Sequence, residues 1–95
     1  MTLDELTKKC TDNNLINYVS ILKPYSLFNN TEKKFYICKR KLLSRIGKNF
    51  KYKYEVFKNV DIEYGKFEHY KMFINLNDAI DYLWEKMANH FIISN

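Results

Sequence analysis

Two histidines, two cysteines and a scatter of acids are the residues here whose types can do chemistry, and their spacing decides what becomes of each possibility. His69 beside Glu68 is the pairing of a general base with an acid, the minimum for a small ribonuclease working in a basic cleft. Against this, a lone histidine in a strand-like run more often sits at the surface or packs across a sheet, and nothing else in the sequence supplies a nucleophile–histidine–acid set. His90 follows Asn89 near the end of a helical stretch, where a cation complements the helix dipole and needs no further role. Cys10 and Cys38 stand far apart, with no second cysteine or histidine at the short spacing that fixes a zinc geometry. Asp61 and Glu63 share one strand face and are able to hold Mg²⁺ together with Glu55, but alternating acids are the ordinary solvent side of an amphipathic strand. The expectation is a non-enzyme with no metal and no cofactor.

The stronger signal is a segment. Between Lys33 and Tyr54 stand Lys33, Lys34, Lys39, Arg40, Lys41, Arg45, Lys48, Lys51 and Lys53, nine cations without one acid. Tyr36, Tyr52 and Tyr54 are interleaved with them. Cations for phosphate and flat rings for bases are what a nucleic-acid surface needs, so Lys33, Lys34, Tyr36, Lys39, Arg40, Lys41, Arg45, Lys48, Lys51 and Lys53 are the candidate partner-binding residues. Strand alternation also permits a plainer arrangement, in which Tyr52 and Tyr54 turn into a core while Lys51 and Lys53 face water. A lysine-dominated surface positions a polyanion without reading its sequence.

The elements that must position these residues follow from periodicity. Thr2-Leu3-Asp4-Glu5 is a capping box, and Leu3, Leu6 and Cys10 recur at helical spacing, predicting a helix from Leu3 to about Thr11. Leu15 to Lys23 fits both periods and is read as a strand ending before Pro24. Asn29-Asn30-Thr31 and Gly47-Lys48-Asn49 mark reversals. Lys34 to Arg40 reads as a strand with Phe35 and Ile37 on one face and Tyr36 and Cys38 on the other. In the next strand Phe50, Tyr52, Tyr54 and Val56 alternate with Lys51, Lys53 and Glu55. Either Asn59 or Gly65 is able to close a turn, with a further strand from Lys66 to Ile74. Asn75 or Asn77 then caps a helix whose stripe is Ile80, Leu83, Trp84, Met87 and Phe91, with the residues after Met87 read as a frayed tail. This composes an α+β fold, one domain over residues 1–95, with an antiparallel sheet of three to five strands and the N-terminal and C-terminal helices packed on one face.

Whole-chain properties narrow the setting. The 95 residues carry a net charge of +5, and residues 1–47 hold all of the excess, nine cations against four acids. Two Gly and one Pro leave no room for a glycine-rich phosphate loop. Few cysteines, an acidic N-terminus and the absence of a long apolar run predict a reduced, cytoplasmic chain with no membrane segment. A homodimer through an exposed strand edge is possible in such a sheet. The composition, compact and rich in Lys, Asn and Tyr, is similar to that of small accessory proteins of phages and mobile elements in low-GC bacteria, anti-CRISPR inhibitors among them. That resemblance implies an inhibitor or regulator docking its basic surface on a nucleic-acid-handling complex. A direct RNA- or DNA-binding module and a small ribonuclease toxin are the alternatives.

Overall fold

A computed structural model describes residues 1–23, 33–42, 51–61 and 66–92. Helix α1 spans Leu3–Asp12. Its start is set by a reciprocal cap: the Glu5 amide donates to Thr2 Oγ1 at 3.2 Å and the Thr2 amide donates to Glu5 Oε1 at 3.3 Å. Such a cap is worth about 1 kcal/mol. Leu6 and Cys10, one turn apart, are the buried face of α1. Asn14 adopts positive φ just beyond the helix, and a 3₁₀ turn at Ile16–Tyr18 leads into strand β1, Val19–Lys23. The segment read as one strand from Leu15 is therefore split, because Leu15 is needed at the core before the chain can extend.

Strand β2 spans Phe35–Leu42, β3 Lys51–Asp61 and β4 Lys66–Phe73, and helix α2 spans Leu76–Phe91. The sheet order is β1-β2-β3-β4, four strands among the described residues. β2–β3 and β3–β4 are antiparallel, but β1 runs parallel to β2, with Val19 opposite Phe35. The sheet is thus mixed where an antiparallel one was expected. A parallel neighbour needs a long connection, which residues 24–34 provide, and this arrangement puts Val19 on the same buried face as Phe35 and Ile37. Asn59 does not close a turn. It is fully buried inside β3, its amide donating to the Lys34 carbonyl at 2.8 Å, and β3 runs on to Asp61. The turns expected at Asn29-Asn30-Thr31, Gly47-Lys48-Asn49 and Gly65 lie outside the described residues.

Both helices cover one face of the sheet. Leu6 and Cys10 of α1, Val19, Phe35, Ile37 and Val56 of the sheet, and Ala79, Ile80, Leu83, Trp84, Met87 and Ala88 of α2 form one cluster. Each large side chain in it stabilises the fold by about 1.5–3 kcal/mol through burial. Asn75 caps α2, its side-chain oxygen accepting from the Asn77 and Asp78 amides at 2.8 and 3.3 Å. The helix does not fray after Met87. It continues to Phe91, whose ring meets Phe35 at 5.9 Å and Tyr18 at 5.3 Å. The other sheet face carries a smaller cluster of Tyr36, Cys38 and Phe57, with Phe67 packed beside it.

Two slips of register shape β4. Between Val56/Phe57 and His69/Lys71, and again between Asn59/Asp61 and Phe67/Lys66, one strand holds an extra residue. The first bulge puts Tyr70 and Lys71 opposite Val56, reversing the alternation beyond it. β1 has its own irregularity between Ile21 and Lys23, where Leu22 takes positive φ. Both edge strands of the sheet are therefore kinked.

Candidate functional site

The fold sorts the basic segment onto two faces. Lys39 pairs across β3 with Tyr54 and Lys41 with Tyr52, on the face that the helices cover further along the sheet. Arg40 pairs with Lys53 on the opposite face. Burial in β2 stops at Cys38, and Lys39, Arg40 and Lys41 are exposed. This end of the β2–β3 pair stands beyond the core, which is why a run of cations is tolerated there.

The remaining candidates have distinct fates. Tyr36 is only 3% exposed; its ring meets Phe67 at 5.3 Å and its hydroxyl accepts from the Lys33 amide at 3.2 Å. It holds the second cluster together and offers no ring to a base. Lys33 Nζ donates to the Asn17 carbonyl at 3.0 Å, tying the entry of β2 to the 3₁₀ turn. Lys34 is half-buried near His90. Lys53 pairs with Glu55 at 2.8 Å. Arg45 and Lys48 lie outside the described residues, as does the side chain of Lys51.

His69 finds a different acid from its sequence neighbour. Its Nε2 lies 3.2 Å from Glu55 Oε2, and its ring packs edge-on against Phe57 at 4.9 Å. Glu68 pairs with Lys58 in register and projects on the other side of β4. Glu55 is buried beneath this group and beside Cys38. Burial, and then the Glu55 carboxylate, push the Cys38 thiol up to about 12, so it is an unreactive packing group. Burial likewise raises Cys10. At the C-terminal end of α2, partial burial followed by the Lys58 and Lys34 ammonium groups lowers the His90 pKa. Among the described residues no three His, Cys, Asp or Glu side chains are grouped to hold a metal ion.

On the helix-side face the structure adds residues that the sequence reading left out. Lys39 Nζ lies 4.0 Å over the Tyr52 ring. Across β3–β4 Tyr54 pairs with Phe73, and Phe73 meets Tyr82 of α2 at 5.3 Å. Lys71 covers Phe73 and Tyr82 at 5.2 and 5.8 Å, and Lys86 covers Tyr70 and Tyr82 at 5.5 and 5.3 Å. Tyr82 and Lys86 stand four apart on a helix, so that pairing was readable. The share of β4 was not, because the bulge at Tyr70 and Lys71 puts Lys71 and Phe73 on the side that simple alternation denies them.

Comparison with protein-family models, curated proteins and solved structures returns no significant match for this chain. Among the described residues no helix is long and apolar enough to cross a membrane.

Proposed function

We propose that this chain is a binding protein that acts by occupancy, docking its basic surface on a nucleic-acid-handling complex and inhibiting or regulating it. One observation carries the reading: Lys39, Arg40 and Lys41 are exposed at the end of β2 that leaves the core, opposite Lys53 and Tyr52 of β3. All three side chains stand at the surface, where an anionic partner meets them. Cations clustered at one end steer an anionic partner and orient it, and aromatic side chains beside them anchor it. No catalytic step is needed for such an inhibitor, in keeping with a chain that resembles small phage and mobile-element accessory proteins in composition.

The test is capture of a nucleic-acid-handling complex from bacterial lysate by the tagged protein, with and without nuclease, using the wild type and Lys39→Glu/Lys41→Glu. A stoichiometric complex that survives nuclease and is lost on charge reversal supports the reading. Equal recovery by wild type and variant overturns it. A second reading, direct contact with nucleic acid, is favoured by the lysine-covered ring of Tyr52.

A further inference from the structure

The lysine–aromatic pairs on the helix-side face do not stand alone. In order across the sheet they run from Lys41 and Tyr52 through Lys39, Tyr54 and Phe73 to Lys71, then on to Tyr82, Lys86 and Tyr70. The strip crosses β2, β3 and β4 and ends on α2. It therefore joins residues distant in sequence into one surface, half of it outside the basic segment.

We infer that this strip is a track for single-stranded nucleic acid. The inference rests on the basic surface being the binding surface, and it names the anion. The rings of Tyr52, Tyr54, Tyr70, Phe73 and Tyr82 are half-buried, and all but Tyr52 pack with one side on the main cluster. Lysine ammonium groups sit over Tyr52, Tyr70, Phe73 and Tyr82, so those ring faces look outward and already hold a cation. A base stacks on such a face, and the ammonium it displaces lies within reach of the phosphate next to it. Alternation of stacking ring and cation is the arrangement that follows a single strand, whose bases are free to stack. A duplex keeps its bases inside, and a protein partner would use one or two of the rings as anchors, whereas a single strand uses successive rings along the strip as stacking faces. Three acids border the strip: burial, and then Glu68 on the same face of β4, raise the Tyr70 pKa, and Asp78 and Glu85 are exposed on α2 about one turn to either side of Tyr82.

The experiment uses the intact protein and a fluorescein-labelled oligothymidylate of about 15 nucleotides, read by anisotropy against salt, with a hairpin duplex and heparin as comparison polyanions. Lys71→Gln/Lys86→Gln is expected to lessen the slope of log K against log salt by about 1.4, since each contact to a single strand contributes about 0.7. Tyr52→Leu/Tyr82→Leu is expected to weaken oligothymidylate roughly tenfold while leaving heparin unchanged, because stacking is lost and charge is kept. Thermal unfolding of both variants checks that the fold is intact, and the lysine variant keeps the test open should the tyrosine variant unfold. If oligothymidylate, duplex and heparin bind alike and the tyrosine variant changes none of them, the surface is a plain cation patch and the single-strand track is overturned. If none of the three polyanions binds, a nucleic-acid contact is overturned and docking on a protein surface is what remains to be tested by capture.

Discussion

His69 and Glu55 meet across the β3–β4 pair, Nε2 to Oε2, at 3.2 Å, and Lys53 completes the group from the same face of β3 at 2.8 Å. Glu55 is the buried member, and the Lys53 ammonium and the His69 ring beside its carboxylate help to offset lost hydration. Glu55→Gln keeps the shape and removes the charge. It is expected to destabilise the fold by about 1–3 kcal/mol, whereas His69→Ala, which truncates a half-exposed partner, costs less. Urea unfolding of the two variants checks this, and an equal or reversed ranking would show that His69, not Glu55, anchors the group.

Two of the pKa shifts, at His90 and Cys38, act at opposite ends of the pH range. His90 is lowered in the folded state, so the unfolded chain binds more protons in the acidic range, and stability falls as pH drops through 6.5 towards the folded value. Cys38 is raised from 9.0 to about 12, so its contribution is fully present below 9 and is lost as pH climbs towards 12. Urea midpoints measured from pH 5 to 11 are expected to fall at both ends. Cys38→Ala is expected to flatten the alkaline fall, and a variant with an unchanged alkaline limb would remove Cys38 from the account.

Ile92 closes α2 in the left-handed conformation, φ 54° and ψ 55°, while its side chain is 91% exposed. A β-branched residue is strained there and glycine is not. Ile92→Gly gives up little burial and is expected to stabilise the protein by about 1 kcal/mol, a rise in Tm of roughly 4–8 °C for a domain of this size. A lower Tm would mean that Ile92 does apolar work at this position.

The kinked edges bear on assembly. Irregular ladders at Leu22 in β1 and at Tyr70 in β4 prevent either edge from offering a flat row of hydrogen-bonding groups to another strand. A monomer near 11.6 kDa is expected by light scattering at micromolar concentration. A dimer that dissociates when Tyr70 is deleted would reverse the reading.

Much of this architecture was legible in the sequence because it rests on local patterns. The capping box at Thr2, the stripe from Ile80 to Phe91, and the opposed faces of Phe35 and Tyr36 all follow from period and chemistry within a few residues. What escaped were consequences of register. The parallel direction of β1 follows from the long connection to β2 and leaves no local pattern in the sequence, and Asn59 reads as a turn former until the Lys34 carbonyl arrives beside it. The site divided in the same way. The basic run was visible as composition, but alternation spreads it over both faces, and Tyr36 is taken by packing. Lys71 and Phe73 joined the lysine–aromatic strip only through one extra residue in β4, which no period of two anticipates.

The main cluster also sets an order of assembly. Leu6 and Cys10 of α1 share one cluster with Leu83 and Met87 of α2, so the buried face of α1 is completed only when the last helix has formed. During synthesis α1 stays on the ribosome with its apolar face only partly covered, while the β2–β3 hairpin, whose contacts are close in sequence, is free to form first. The slow step in refolding is then the docking of the two helices and of β1 onto that hairpin, and a truncated product lacking α2 would be an aggregation hazard for the cell that made it.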